Sequence, residues 1–339
     1  AVAAAVAAIN ATTAAASTSA TAAPPPVSLA DEEAARAKAE DASVGQTSSE
    51  VFTNYTPSNP NVPGGPHPGD VAEAASLAAT SAPPCEYTLC PALLEDTKLS
   101  NLQLEAIQLA STRHLSVVPT TPPTRCGFFL GDGAGVGKGR QLAGIILDQL
   151  SRGRSKHVWF SISSDLRTDA ERDLRDLGCH VAVHDGCQGL DKGNKGFGLS
   201  KEMQSGVLFS TYSTLVSATS GQKAKGGSRL SQLVDWCGGP SFEGCLMFDE
   251  CHKAKNWTGK EETSSKVAQS VLELQKLLPL ARIVYCSATG ASDLSNMAYM
   301  ERLALWGPLS AFPTFNTFTE GVTGRGVGGL EMLAMEMKS

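Results

Sequence analysis

The sequence has no C-x-x-C pair, no charged residue before Asp31 and no arginine before Arg36. It also has no run approaching about 18 consecutive apolar residues, so a membrane span is not expected. The nine cysteines, at 85, 90, 126, 179, 187, 237, 245, 251 and 286, are odd in number and lack paired spacing. A zinc site is therefore not expected. Cys126, Cys245 and Cys286 stand in or beside apolar runs, as small core residues do, which suits free thiols in a reducing compartment. The early residues have neither the arginines of a transit peptide nor the basic start and compact apolar centre of a secretory signal.

Large apolar side chains are scarce at the start as well. Residues 1–30, "AVAAAVAAINATTAAASTSATAAPPPVSLA", cannot bury enough surface to offset their ordering entropy. A disordered Ala/Ser/Thr/Pro-rich tail is expected over residues 1–50. Residues 51–98 are punctuated by proline and glycine and read as an extended arm, with a short helix near 70–79. Charge divides with composition. Residues 1–90 carry 9 acidic and 2 basic side chains, or −7; the remaining 25 acidic and 26 basic give +1. The expected domain, 99–339, is near neutral, and bulk charge does not announce a nucleic-acid binder.

Within that domain, apolar runs alternate with helical patterns. "CGFFL" (126–130), "HVWFSI" (157–162), "HVAVH" (180–184), "GVLFST" (206–211), "CLMF" (245–248) and "RIVYCS" (282–287) read as buried strands. Helices are expected after Ser100, through Leu102, Ala106 and Leu109; over 139–150; over 165–178, ending at Gly178; and along Val267, Val271, Leu274 and Leu278. Strands without polar alternation, separated by helices, predict an α/β fold: a three-layer parallel sheet with helices on both faces. Residues 187–205 and 217–228 are Gly/Ser/Lys-rich and read as surface loops.

Three strand ends carry chemistry. The first, "LGDGAGVGKGR" (130–140), places glycines between a strand and a helix, so that successive backbone N–H groups and Lys138 can face one anion. Gly133, Ala134, Gly135, Val136, Gly137, Lys138, Gly139 and Arg140 are the candidate nucleotide-binding residues. The strict G-x4-G-K-[ST] pattern is missed at both ends, by Asp132 and by Gly139. Alone, the loop reads either as a phosphate site or as a structural strand–helix turn. The second is "LMFDECHKAKN" (246–256), in which Asp249 is a candidate Mg²⁺ residue acting through its waters. Glu250 is a candidate for orienting or deprotonating the attacking water, although an Asp-Glu pair also reads as a solvated acidic strand end, and His252 is a further catalytic candidate or a local hydrogen-bonding residue. The third is "YCSATG" (285–290), with Ser287 and Thr289 as candidate coupling residues or plain turn formers.

The order of these three, each at a strand's end, is that of the first motor domain of superfamily 2 helicases and translocases. ATP and Mg²⁺ are the cofactors this predicts. Gln103 in "LQLEAI" resembles that superfamily's adenine-reading glutamine, or is an incidental helix residue. Ser163 and Ser164 in "FSISSDLR", and Thr211 and Tyr212 in "GVLFSTYSTL", occupy places of nucleic-acid backbone contact, or are ordinary loop residues.

A narrower resemblance is carried by "GDGAGVGKGR", "SISSDLRTDAERDLRDLG", "FDECHKAKN", "VLELQ" and "SATGASDLSNMAYMERLALWG". With "VFTNYTPS", "HPGDVAEAASLAA" and "RGVGGLEMLAMEMK", these resemble the strawberry notch family from about residue 51 to residue 339. The resemblance implies a RecA-like P-loop domain of a nuclear, helicase-like ATPase with roles in transcription regulation and chromatin. It implies DNA, histones or transcription factors as partners, together with a C-terminal helicase domain of the same protein. It also implies that Gly after the lysine is usual for the loop. After Thr289 about fifty residues remain, too few for a second RecA-like domain, so slow hydrolysis by this chain alone is expected. Two other readings stay open: a non-catalytic, nucleotide-ordered scaffold for chromatin partners, and a DNA translocase of the phage-defence kind.

Overall fold

The computed structural model describes residues 52–59, 62–80, 85, 87–94, 98–186, 204–217, 228–288, 294–308 and 310–338. The tail (1–50), most of the two Gly/Ser/Lys-rich insertions and Thr289 lie outside the described residues. Ten strands are present among them: β1 (Phe52–Asn54), β2 (Ala72–Ala74), β3 (Val117–Val118), β4 (Thr124–Arg125), β5 (Phe128–Leu130), β6 (Lys156–Ser161), β7 (Val183–Asp185), β8 (Gly206–Thr211), β9 (Cys245–Asp249) and β10 (Arg282–Cys286). The α-helices longer than one turn are α1 (Asn101–Arg113), α2 (Lys138–Ser151), α3 (Leu166–Asp176), α4 (Tyr212–Val216), α5 (Arg229–Cys237), α6 (Lys266–Leu277), α7 (Phe315–Thr323) and α8 (Val327–Lys338).

Six strands make one parallel sheet in the order β5-β10-β9-β6-β8-β7. Its central strands are buried along their length because helices cover both faces. Ile107, Leu142, Ile145 and Leu174 pack on one side; Leu233, Trp236, Val271 and Leu274 pack on the other. Each large apolar side chain sealed this way contributes on the order of 2 kcal/mol. α1 and α2 approach closely because Gly144 has no side chain: a Cβ there would stand 2.3 Å from Ile107 Cδ1.

Local differences from the sequence reading have identifiable causes. β5 starts at Phe128 because the N–H groups of Cys126 and Gly127 donate to Ser116 and Arg302 carbonyls, outside the sheet. Among the described residues the edge strand β7 pairs only with β8 and is short. The 70–79 segment is helical only at Ala75–Ala78, since Ala72–Ala74 pairs antiparallel with Phe52–Asn54. α1 begins at the expected Ser100, whose hydroxyl accepts from the Gln103 N–H while Gln103 Oε1 accepts from the Ser100 N–H.

The arm is stitched onto the sheet domain by two carboxylates. Glu105 accepts from the Tyr55 hydroxyl, the Ser58 N–H at 2.7 Å and the Asn59 N–H at 3.2 Å. Asp148 accepts from the Tyr87 hydroxyl, the Cys90 N–H at 2.9 Å and Arg152 Nε at 3.0 Å. Leu89, Cys90 and Leu93 are buried in the same core as α1 and α2. Among the described residues no helix is long and apolar enough to cross a membrane.

Candidate nucleotide-binding site

The sheet register lines up the chemistry. Leu130, Cys286 and Asp249 are in-register partners at the carboxyl ends of β5, β10 and β9; Ser161 and Thr211 pair at the ends of β6 and β8. Ser161 Oγ then bridges the two sets by donating to Asp249 Oδ2 at 3.0 Å. The loop after β5, the acids after β9 and Ser287 after β10 are therefore brought to one edge, where open α/β sheets bind ligands.

The loop keeps its shape through glycine and through two polar staples. Gly135 and Gly137 have φ of 86° and 81°, a left-handed backbone that glycine adopts without a Cβ penalty. No atom of the described residues lies within 4 Å of where a Cβ would stand at Gly133 or Gly135, so among them the loop faces open space. α2 starts at Lys138 with no side-chain cap, leaving the N–H groups of Lys138 and Gly139 at its start to meet an anion. Lys138 Nζ donates to the Asp132 and Gly133 carbonyls, each at 3.1 Å, which holds the ammonium at the loop. Asp132, the departure at the loop's first position, is buried and accepts from Gln141 Nε2 at 2.7 Å, tying the loop's entry to α2. Ala134 is exposed, and Val136 is buried with its carbonyl accepting from Gln103 Nε2 at 2.9 Å.

Gly139 has a packing reason. A Cβ at that position would stand 2.1 Å from Asp173 Oδ2, a carboxylate brought in from α3. The space that a Ser or Thr would use is taken by another side chain. Arg140 shares the arrangement: its guanidinium pairs with Asp176 of α3 at 2.8 Å. Its main-chain N–H remains in the first turn, donating to the Gly137 carbonyl.

At the tip of β9, Asp249 Oδ1 accepts from the Glu250 N–H at 3.1 Å. Burial raises the Asp249 carboxyl above its ordinary value, and the Glu250 charge adds to the shift; a divalent cation would oppose both. Burial also works to raise Glu250. There the His252 hydrogen bond and charge, with Lys138 and Lys253 nearby, outweigh it and hold the carboxyl low. His252 Nδ1 lies 3.3 Å from Glu250 Oε2 and 3.2 Å from Ser287 Oγ, and the Ser287 N–H donates to the Leu130 carbonyl at 3.1 Å. A continuous polar path thus joins the acid of β9 to the strand that leads into the loop. Thr289 lies outside the described residues.

The remaining candidates divide. Ser163 and Ser164 occupy the turn into α3, where Ser164 is exposed and Ser163 Oγ accepts from the Asp165 N–H. Thr211 caps α4 and shares its hydroxyl with Ser213 and Thr214. Tyr212 does not suit a nucleic-acid contact. It is 4% exposed, stacks on Phe160 and donates its hydroxyl to the Asp249 carbonyl at 2.8 Å. It follows the strand into the core because Leu215 shares its helix face, so both side chains pack inward. Gln103, read either as an adenine contact or as an incidental helix residue, spends one amide N–H on the loop and its oxygen on the helix cap. The sequence reading passed over Ser161, whose place at the end of β6 was its available signal. It also passed over Asp173, which no spacing rule connects to residue 139.

The donors present fit a nucleoside triphosphate with Mg²⁺: an open glycine cradle, an uncapped helix start, an ammonium and a buried carboxylate meet at one sheet edge. The family model described as P-loop containing NTP hydrolase pore-1 matches residues 66–339. The chain belongs to this family. Its relatives narrow the description: human protein strawberry notch homolog 2 is 47% identical over 294 residues, covering 85% of this chain and 20% of that protein. Protein strawberry notch of Drosophila melanogaster is 46% identical over 301 residues, covering 85% of this chain and 17% of that protein. The resemblance carried by the motifs therefore extends over most of the chain, which spans about a fifth of the length of the curated relatives it matches. Among solved structures, the chain is similar to a Sulfolobus solfataricus SWI2/SNF2 ATPase core in complex with dsDNA. That similarity has 16% identity and a TM-score of 0.45, covering 74% of this chain and 43% of that one.

Proposed function

We propose that this region is the ATP-binding half of a two-part, helicase-like motor in a nuclear regulator of transcription or chromatin. The observation that carries the reading is the convergence of the Lys138 loop, the Asp249–Glu250 tip and the His252–Ser287 pair along one line of sheet register. In it, Lys138 and the N–H groups of Gly135 to Gly139 hold the phosphates. Asp249 holds Mg²⁺ through its waters, since Gly139 offers no hydroxyl. When bound, the metal neutralises charge on the phosphate oxygens. Glu250, kept ionised beside His252, orients the attacking water. Ser161 keeps Asp249 in place, and the His252–Ser287 link reports nucleotide state to a second helicase domain of the full protein. That domain would supply the arginines that stabilise the transferring phosphoryl group, worth about 10³–10⁵ in rate. Ser163, Ser164 and Thr211 would touch a nucleic-acid backbone, with DNA, histones and transcription factors as the partners of the whole protein.

The test measures Mg-ATP affinity and turnover for the full-length protein, for Lys138→Ala and for Glu250→Gln. The expected result is loss of binding in the first variant, and retained binding with little turnover in the second. Undiminished binding by Lys138→Ala would falsify the site. Undiminished cellular function in both variants would favour the non-catalytic scaffold.

A further inference from the structure

Glu250 has φ 47° and ψ 49°, a left-handed conformation that costs a residue with a Cβ on the order of 1 kcal/mol or more. Such a backbone persists only where its surroundings impose it. The imposing groups are two buried tyrosines. The Tyr212 hydroxyl donates to the Asp249 carbonyl at 2.8 Å, and the Tyr299 hydroxyl donates to the Cys251 carbonyl. The peptide that precedes Glu250 and the peptide that follows Cys251 are thereby pinned from below, while the Glu250 N–H is taken by Asp249 Oδ1 and its carbonyl accepts from the Lys253 N–H.

The two tyrosines are the ends of one aromatic ladder. Tyr212 stacks on Phe160 with centroids 6.0 Å apart, Phe160 on Phe248 at 5.5 Å and Phe248 on Tyr285 at 5.9 Å. Tyr285 then meets Tyr299 edge-on at 5.9 Å. The ladder crosses β6, β9 and β10 under the site, so neither hydroxyl can drift without repacking the core. Tyr285, in the middle, donates to Gln275 Oε1 and reaches neither carbonyl, which makes it an internal control.

We infer that Tyr212 and Tyr299 are positioning residues that force the left-handed backbone at Glu250 and so aim its carboxylate. The inference rests on the proposed role of Glu250, but the bracket itself can be tested without turnover. Hydrogen exchange of the full-length protein reads it directly. Tyr212→Phe and Tyr299→Phe should each raise amide exchange across residues 250–253 by about tenfold or more, while Tyr285→Phe leaves that segment unchanged. In the same two variants, turnover should fall by about tenfold, with the affinity for Mg-ATP within about twofold of the parent. Unchanged exchange in both variants, or an equal rise in Tyr285→Phe, overturns the bracket. A drop in affinity with kcat intact overturns the positioning role. If the parent protein binds no nucleotide, the proposed function fails, and the exchange measurement still decides the bracket. Should a Tyr→Phe variant not fold, Glu250→Gly against Glu250→Ala supplies the answer. The glycine variant should melt higher, since only glycine meets a left-handed backbone without cost, and the reverse order sinks the inference.

Discussion

The two edges of the central sheet hold similar charged side chains and treat them in opposite ways. At the amino-terminal edge, Arg302 donates to the carbonyls of Arg125, Gln275, Leu278, Pro279 and Ala281. Arg125 donates to Leu280 and His114 carbonyls, and Arg125, Arg154 and Arg282 all meet Glu243. Burial pushes both Arg282 and Arg302 down to about 10, so they stay charged at neutral pH, and Arg302 spends its Nε, Nη1 and Nη2 groups on backbone carbonyls. At the carboxyl edge, α2 has no side-chain cap, two loop glycines face open space, and Glu250 sits in a disfavoured conformation. Charge alone therefore marks neither edge as functional. What separates them is saturation: donors paired with backbone build the fold, and donors left facing solvent in a rigid cradle can take a ligand.

The comparison predicts that stability and binding respond to different edges. The largest effect expected is from Arg302→Met, which strands several carbonyls and should cost about 3–5 kcal/mol in urea unfolding. Nucleotide affinity of the folded fraction should stay the same. Lys138→Ala should do the reverse, weakening Mg-ATP binding by about 100-fold, or about 2.7 kcal/mol, with a nearly unchanged melting temperature. A melting temperature that collapses in Lys138→Ala, or an affinity that collapses in Arg302→Met, would break the division between the edges.

That division also explains what could be read without coordinates. β8 and β9 are continuous apolar runs ending in polar residues, a pattern that buried parallel strands require, and they occur where "GVLFST" and "CLMF" stand. The glycine spacing before Lys138 reflects a local backbone need, so it too was visible. The arrangements missed are contacts between residues far apart in the chain. Asp173 fills the space beside Gly139, and Tyr212 reaches Asp249 across the intervening strand β6. Tyr87 bonds Asp148, which makes the proline-rich arm part of the core. Tyr212 reads from sequence as a backbone contact or a loop residue because its neighbours in sequence are hydroxyls, whereas its neighbours in space are Phe160 and the tip of β9.

A pH series sharpens the same contrast. Burial pushes His114 down to about 3 and His157 down to about 4, from an ordinary value of 6.5. Both are neutral in the fold. His157 bridges the Cys245 N–H and the Arg154 carbonyl, and His114 donates to the Ile283 carbonyl. The unfolded chain takes up protons below 6.5 while the folded chain does not. Their contribution to stability is whole above that pH and lost as pH falls toward 4. Each should remove about 1.4 kcal/mol per pH unit within that window. Glu250, held below the ordinary carboxylate value, adds its loss only at lower pH. Melting curves from pH 7 to 5 should flatten in His157→Gln, and an unflattened slope places the proton uptake elsewhere.

The smallest effect expected concerns Gly139. If this residue were a decayed hydroxyl position, restoring serine would strengthen metal and nucleotide binding. The structure argues the opposite, because Asp173 Oδ2 occupies the volume and its side chain is largely shielded between α2 and α3. Gly139→Ser should therefore cost about 1 kcal/mol of stability by overpacking and should not improve Mg-ATP affinity. Asp173→Gly alone opens the space, and combined with Gly139→Ser it should recover the lost stability. Non-additive melting temperatures across the four proteins would show that the two positions share one volume. Additive ones would mean that the carboxylate moves aside freely, and that the loop tolerates a hydroxyl without help from α3.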